Sequence, residues 1–352
     1  MHMSCTVGYV TELVDSSVDW TVVESWLAAR GVAHGQITDI AQIGGGTQNL
    51  MFTLQCGDAS LVLRRGPRHL RPHTNDALRR EARVLGALAG TDVPIPRLLA
   101  AEPDESVLGS SFYVMEPVDG FNASVALPPS HSSPEVQRAM GFAAVDALLA
   151  LGTVDPDRVG LGDLGKPAGF LERQVPQWLG TLDKYAALDG YPGHRLPHVD
   201  DIALWLEQHR PQTFLPGIMH GDFHLANLMF RNDGPAIAAI VDWEMCTLGD
   251  PLLDLGWLLA TWPQDDAIGP FGELRDLPTR AELVTYYSKT ARRSVDHARW
   301  YAVLASFKLA IVLEGTNERA HAGKAPEATG DLLHAIAIGL LNNATLFIER
   351  GL

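Results

Sequence analysis

The stretch HGDFHLANLMF at residues 220–230, followed by VDWE at residues 241–244, decides how this sequence folds. Asn227 lies five positions after Asp222, and Asp242 follows beyond a further turn. A phosphoryl-transfer site needs a carboxylate that accepts a hydroxyl proton, and oxygen ligands that hold Mg²⁺ against nucleotide phosphates. These three side chains supply that set. The stretch therefore predicts a phosphoryl-transfer site rather than an ordinary capped loop.

The composition excludes several other classes of protein. The chain has 352 residues, 46% of them hydrophobic, which is enough for a sizeable core in two structural units. Its formal net charge of −15 is unsuited to nucleic-acid binding, which requires a basic face. Cys5, Cys56 and Cys246 are far apart, which rules out a zinc ribbon and a disulfide scaffold and fits a reducing cytosol. We therefore expect a cytoplasmic protein without a nucleic-acid partner.

The apolar runs are too short to predict a membrane span. The two most apolar runs, Pro251–Ala260 and Ala302–Leu313, fall below the ~20 residues that a membrane helix needs, and each contains a charged residue. The N-terminus also lacks the basic and apolar regions of a secretion signal. We expect no membrane partner, and the sequence does not indicate an oligomeric state.

The order of predicted elements indicates two lobes. Residues 36–115 contain patterns for a strand, a glycine loop, two strands, a helix and two further strands. Beyond about residue 118 the pattern is helical, interrupted by a short hairpin. We expect an α+β fold with a small antiparallel-sheet N-terminal lobe, residues 1–118, and a large helical C-terminal lobe, residues 119–352.

Capping residues predict several helix boundaries. Ser17 is placed to cap a first helix that ends near Arg30, and Asp250 precedes a proline at the first position of a later helix. The last two helices are predicted over residues 296–317 and 331–350.

The catalytic stretch resembles the aminoglycoside phosphotransferase and choline kinase family, which shares the protein-kinase-like fold. The resemblance extends from the glycine loop at residues 43–49 to the helices after residue 251. The run VDWEMCTLGDPLLDLGWLL at residues 241–259 is most similar to the branch found fused to acyl-CoA dehydrogenases. This resemblance implies a bilobal, ATP- or GTP-dependent small-molecule kinase that uses Mg²⁺. It also implies that the lobe of residues 1–118 binds the nucleotide, and that the lobe of residues 119–352 carries the catalytic loop and the substrate site.

The resemblance also implies a role for each residue of the motif. Asp222 matches the catalytic aspartate, and Asn227 and Asp242 match the metal ligands. His220 matches the residue that braces the catalytic loop. Asp254 matches a buried acid that accepts N–H groups from that loop, so we predict structural support for it and no catalytic role.

The N-terminal lobe supplies the predicted nucleotide contacts. Glycines let backbone N–H groups approach phosphates, and the resemblance places the nucleotide loop at Gly44, Gly45, Gly46 and Thr47. No GxxxxGK[ST] motif occurs, which excludes a Walker-type ATPase. By the same resemblance, a connector at residues 116–118 would offer backbone groups of Glu116 and Val118 to the purine.

The third strand departs from the pattern of the wider kinase relatives, which place a lysine there. Residues 1–165 contain no lysine, so we predict that Arg64 contacts the phosphates, paired with Glu81 from the following helix. Because side chains alternate along a strand, Arg65 should point away from the cleft. Arginine grips phosphate as a planar fork and lysine as a point charge, so the two are not interchangeable.

Alternative functions remain open at this stage. The missing lysine would suit a non-catalytic, pseudokinase-like nucleotide-binding module. His220, Asp222, His224 and Asp242 could instead form the metal site of a hydrolase. Within the kinase interpretation, the hydroxyl acceptor is either aminoglycoside-like or a hydroxyacyl compound, possibly as its CoA ester. The arginine-rich segment at residues 64–83 could then meet CoA phosphates or form a solvated basic face.

Overall fold

A computed structural model describes residues 18–44, 49–67, 70, 73–187, 191–263 and 271–352. In its N-terminal lobe, a five-stranded sheet has the order β1-β2-β3-β5-β4, and every pairing is antiparallel. This confirms the predicted small antiparallel-sheet lobe. The strands are β1 (Ile37–Ile43), β2 (Leu50–Cys56), β3 (Ala59–Arg65), β4 (Leu98–Glu102) and β5 (Phe112–Met115).

Two helices accompany this sheet. Helix α1 (Trp20–Ala29) precedes β1, and α2 (Thr74–Leu88) connects β3 to β4. The N-cap of α1 is Asp19, whose Oδ1 accepts the backbone N–H of Thr21 at 3.1 Å. The prediction of Ser17 as the cap is therefore wrong. Asp19 is closer to the first turn of the helix, and its side chain reaches the free N–H groups there. Ser17 itself lies outside the described residues.

The C-terminal lobe is helical, as predicted. Helix α8 continues four residues past its predicted end, and α9 begins four residues before its predicted start. The prediction missed both boundaries because local periodicity does not show where these two helices stop. Among the described residues the helices are α3 (Pro134–Thr153), α4 (Phe170–Ala186), α5 (Val199–Gln208), α6 (Leu252–Ala260), α7 (Arg280–Thr290), α8 (Ala298–His321) and α9 (Glu327–Arg350).

Short strands hold the catalytic segment within this lobe. Two small antiparallel sheets, β6-β8-β9 and β10-β7, surround the loop that contains residues 220–227. Sequence patterns had indicated only the hairpin. The strands are β6 (Phe121–Asn122), β7 (Gly217–Met219), β8 (Leu228–Phe230), β9 (Ile237–Ile240) and β10 (Thr247–Gly249).

The apolar core has two parts, and their boundary does not follow the chain. One cluster lies between α1 and the sheet, around Phe52, Leu63 and Val114. The other fills the C-terminal lobe and also includes the inward face of α2, with Leu78 and Leu85. Helix α2 therefore belongs to the N-terminal lobe by sequence but packs with the C-terminal core.

Within the described residues, α9 has the length and apolar composition of a membrane-crossing helix, and most of its most apolar stretch is not buried. The sequence prediction of no possible span missed it, because only uninterrupted apolar runs were considered. Such a match is weak support for a membrane span, since core helices of other proteins also meet the criterion.

Candidate active site

A cleft of about 440 Å³ lies between the two lobes. Residues predicted from both lobes line it, whereas Gly45, Gly46 and Thr47 lie outside the described residues. The predicted residues in the lining are Gly44, Arg64, Glu81, Glu116, Val118, Asn227 and Asp242.

Asp222 and Asn227 are coupled at the base of the site. The Nδ2 group of Asn227 donates to the backbone carbonyl of Asp222 at 2.9 Å and to its Oδ2 at 3.1 Å. These bonds use both donor hydrogens of the amide, so Oδ1 is the atom with which Asn227 can bind a cation. A 3₁₀ turn, Leu225–Asn227, produces the spacing that allows this contact.

His224 is a site residue to which sequence analysis gave a role only in the rival metal site. Its Nε2 lies 3.3 Å from Oδ1 of Asp222, and its Nδ1 accepts the N–H of Ala226, which fixes the donor on Nε2. Burial alone would raise the pKa of Asp222, but the hydrogen bond from His224, the nearby rings of His224 and His220, and the hydrogen bond from Asn227 lower it below its usual value. Asp222 is thus a carboxylate at neutral pH. The position of a histidine two residues after the aspartate was the available signal.

The catalytic loop is held from behind by His220 and Asp254. His220 is fully buried and donates from Nε2 to the carbonyl of Val241 at 3.0 Å, while Nδ1 accepts the N–H of Asp222. Burial lowers the pKa of His220, so the ring is neutral. The two Asp254 oxygens accept the N–H groups of His220 at 2.7 Å and Gly221 at 2.8 Å. These are the contacts that the resemblance implied.

Gly221 shows why the loop needs a glycine before the aspartate. Its φ of +89° is strained for any L side chain, and an added Cβ would lie 2.5 Å from the carbonyl oxygen of Met245. The backbone can therefore approach the 241–249 segment only with glycine here. This close approach brings the catalytic loop against the segment that carries Asp242. Asp222 is not itself among the residues that line the cleft, and it is connected to that lining through its bond with Asn227.

Arg64 points into the cleft, as the strand alternation predicted. Its Nε lies 3.0 Å from Oε2 of Glu81, and its Nη2 lies 2.9 Å from Oδ1 of Asp242. The contact to Glu81 is not aligned as a hydrogen bond, so it acts mainly through charge. Burial opposes the charge on Arg64, but its acidic neighbours raise its pKa above the ordinary arginine value. Burial also raises the pKa of Glu81 to about 7, against the effect of Arg64.

Arg65 lies away from the cleft but is not in solvent. Its exposed fraction is 4%, and its Nε donates to the carbonyl of Gly66 at 3.2 Å. The predicted register of β3 is therefore correct. Strand alternation did not show that Arg65 would be buried on the face away from the cleft.

The residues present fit a magnesium ion. Asp242 has a left-handed backbone, φ 67° and ψ 63°, and its side chain remains 38% exposed although Arg64 contacts it. Together with the free Oδ1 of Asn227, it offers the carboxylate and amide oxygens that Mg²⁺ prefers. Among the described residues, no group of three or more His, Cys, Asp or Glu could hold a metal ion. Both nitrogens of His220 are engaged, which removes the basis of the hydrolase alternative.

The connector presents polar backbone groups at the rear of the cleft. The Glu116 N–H donates to the carbonyl of Arg97 at 2.9 Å, so its carbonyl is the group that it can offer a base. Pro117 has no N–H, which leaves that of Val118 as the next donor along the chain.

The arginine-rich segment is engaged with the protein itself. Arg80 donates to the carbonyls of Leu164 and Cys246, and Arg83 pairs with Asp163. Arg79 pairs with acidic residues of its own lobe. The described arginines of this segment therefore give no support to a CoA-phosphate surface, while Arg68 and Arg71 lie outside the described residues.

Comparison with known proteins identifies the family. A family model described as the phosphotransferase enzyme family matches residues 39–323. The chain belongs to this phosphotransferase family. Among solved structures, a Ralstonia eutropha JMP134 protein assigned to the aminoglycoside phosphotransferases is 31% identical, with a TM-score of 0.76 over 93% of this chain and 98% of that one.

More distant structures confirm the kinase-like fold of this phosphotransferase. A choline/ethanolamine kinase family protein from Mesorhizobium loti has a TM-score of 0.55 at 18% identity, covering 89% of each chain. The streptomycin–ATP complex of APH(2″)-IIa has a TM-score of 0.57 at 17% identity, covering 86% of this chain and 91% of that one. At these identities, the likeness shows the fold alone.

Curated relatives of this phosphotransferase confirm the predicted resemblance to the acyl-CoA dehydrogenase branch. Human acyl-CoA dehydrogenase family member 11 is 30% identical over 303 residues, which are 83% of this chain and 38% of that protein. Member 10 from Mus musculus is 28% identical over 299 residues, which are 83% of this chain and 27% of that protein. The chain spans well under half the length of both.

Proposed function

We propose that this phosphotransferase moves the γ-phosphoryl group of ATP or GTP to a hydroxyl group of a small molecule. The observation that carries the proposal is the convergence of Asn227, Asp242 and Arg64 on one cleft, with Asp222 bonded to Asn227 at its base. A site that transfers phosphoryl groups acts mainly by positioning and charge stabilisation, and this set provides both.

Each residue has a defined task in this proposal. Asp222 accepts the hydroxyl proton as the acceptor oxygen attacks the γ-phosphorus; a P–O bond to the acceptor forms, and the P–O bond to the β-phosphate oxygen breaks. ADP or GDP leaves with that electron pair. His224 keeps Asp222 ionised and oriented, and Arg64 contacts the phosphates as a planar fork. Asn227 and Asp242 hold Mg²⁺, which neutralises phosphate charge when bound.

The identities of both substrates are further parts of the proposal. The solved relatives include an ATP complex and a GDP complex, so either purine nucleotide fits the family. Aminoglycosides occur in the complexes of distant relatives, whereas the acyl-CoA dehydrogenase relatives favour a hydroxyacyl acceptor, possibly as its CoA ester. A cytoplasmic location fits the cysteine usage described above.

The test combines an acceptor screen with one variant. The purified full chain is incubated with Mg²⁺, ATP or GTP, and a panel of aminoglycosides and hydroxyacyl compounds, and phosphorylated products are detected by ³¹P NMR. Asp222→Ala is expected to reduce transfer by about 10²–10⁴-fold, the usual contribution of a general base, and to leave nucleotide binding largely intact. Asp233→Ala, at an exposed position in the turn between β8 and β9 that follows the catalytic loop, serves as the matched control.

Two results would count against the proposal. Full transfer by Asp222→Ala would refute the role of that residue as the base. Nucleotide binding without turnover for any acceptor would favour the non-catalytic, pseudokinase-like module.

A further inference from the structure

Lys308 is a buried cation beside the catalytic loop that none of the steps above uses. Its exposed fraction is 7%, whereas the four other lysines of the chain are exposed. Its Nζ lies 3.5 Å from the carbonyl oxygen of Gly221, the residue before Asp222. Burying an ammonium group is costly unless strong partners surround it, so its position requires an explanation.

The protein itself supplies weak partners for this charge. Asp254 and Asp222 favour the charged form through space, but in the described part of the chain no carboxylate makes an ion pair with Nζ. The oxygens of Asp254 already accept the N–H groups of His220 and Gly221. Burial lowers the pKa of Lys308 to about 8, which leaves it mainly charged at neutral pH.

Two tryptophan rings lie against this ammonium group and give it cation–π contacts. Nζ lies 4.6 Å from the ring centroid of Trp257 on α6 and 5.5 Å from that of Trp178 on α4. The indole N–H groups of both rings are buried and have no hydrogen-bond partner among the described residues. Lys308 thus makes one long hydrogen bond, to Gly221, and the two rings beside it each carry an indole N–H without a partner among the described residues. Trp178 is partly exposed, whereas Trp257 is buried.

We propose that Lys308, flanked by Trp178 and Trp257, binds a carboxylate group of the phosphoryl acceptor. This inference rests on the proposed function and names the acceptor class: an alcohol that also carries a carboxylate. A charge-assisted hydrogen bond to the ammonium would give Lys308 the strong partner that it lacks, and would hold the acceptor beside Gly221, the residue before Asp222. The ammonium group of an aminoglycoside would be repelled at this position.

Direct binding of three matched probes to the full chain tests the proposal without nucleotide. The probes are 3-hydroxybutyrate, 3-hydroxybutyramide and 4-amino-2-butanol, which carry a carboxylate, a neutral amide and an ammonium on similar alcohols. Ligand-observed NMR titrations should show about 10-fold or tighter binding of the carboxylate than of the amide, as expected for a charge-assisted bond, and no binding of the amine. Equal binding of all three would overturn the proposal.

Variants then assign any selectivity to Lys308. Lys308→Met keeps the apolar stem and should reduce carboxylate binding to the level of the amide, whereas Lys308→Arg should keep at least part of the selectivity. Lys289→Met, at an exposed lysine on α7, is the control and should change nothing. Carboxylate binding that survives Lys308→Met in a folded protein would show that the lysine is only a counter-charge for Asp254. If Lys308→Met does not fold, the comparison of the three probes on the wild type and on Lys308→Arg still tests whether the site selects a carboxylate.

The readouts separate this inference from the proposed function. Carboxylate-selective binding with no phosphoryl transfer would retain the subsite and contradict the kinase activity. Transfer to acceptors without a carboxylate, at rates that Lys308→Met does not alter, would retain the kinase activity and overturn the subsite. Where a hydroxy acid is phosphorylated, Lys308→Met should raise its KM about 10-fold and leave the affinity for ADP unchanged.

Discussion

Salt bridges of Arg64 connect the two lobes at one side of the cleft, whereas hydrogen bonds within the C-terminal lobe hold the catalytic loop. Arg64 lies between Glu81 and Asp242, so its contacts cross from the sheet to α2 and to the other lobe. Asp254 instead accepts two neighbouring backbone N–H groups of its own lobe. The difference indicates that phosphate contacts can rearrange when a nucleotide arrives, while the position of the base is fixed beforehand.

The largest expected effect comes from removing the support of the catalytic loop. Asp254→Ala would leave two buried N–H groups without an acceptor, at about 1–3 kcal/mol each, so unfolding free energy should fall by about 2–6 kcal/mol. Urea denaturation measures this change, and a steady-state assay should show kcat falling more than nucleotide affinity. An unchanged midpoint would mean that the loop does not depend on Asp254.

Removing the cation of Arg64 should affect nucleotide binding. Arg64→Met should weaken ADP binding about 10- to 100-fold, because the charge-assisted contacts to phosphate are lost. Isothermal titration calorimetry with Mg²⁺ and ADP measures the effect, and Arg64→Lys should restore part of the affinity by keeping the charge. If Arg64→Met bound ADP as the wild type does, the role given to this residue would have to be withdrawn.

The residues of the candidate site could be predicted from the sequence more fully than the packing around them. The motif and the family resemblance selected Asp222, Asn227 and Arg64, and strand alternation then put Arg65 on the opposite face from Arg64. Lys308 carries no motif, and its importance arises from α4, α6 and the catalytic loop meeting around it. The burial of Arg65 likewise depends on packing from elements distant in sequence.

Arg65 allows a second comparison, between an effect on ADP affinity and an effect on the free energy of unfolding. Arg65→Met should leave ADP affinity unchanged, because the side chain lies on the opposite face of β3. It should lower the free energy of unfolding by about 1 kcal/mol, since a buried polar contact is lost. Calorimetry and denaturation on the same preparation separate the two effects, and weaker ADP binding would contradict the assigned register.

A further effect depends on pH and concerns the charge of Lys308 beside the catalytic loop. Burial lowers the pKa of Lys308 to about 8 from an ordinary value of 10.5. The resulting stability is present above pH 10.5 and is lost as the pH falls through 8, because the folded state then carries a buried charge. The unfolding free energy of the wild type relative to Lys308→Met should therefore rise by roughly 2 kcal/mol between pH 8 and pH 10. A difference that is independent of pH would mean that Lys308 is not desolvated.

The packing of α2 has a consequence for how the cleft can open. Its apolar face belongs to the core of the C-terminal lobe, and Arg80 and Arg83 tie it to loops of that lobe. An opening motion that keeps these contacts would carry α2 with the C-terminal lobe, and it would have to loosen the contacts of Arg79 with Pro103 and Glu105 in the N-terminal lobe. Arg64 and Glu81, only 17 positions apart in the chain, would then stand on opposite sides of the hinge.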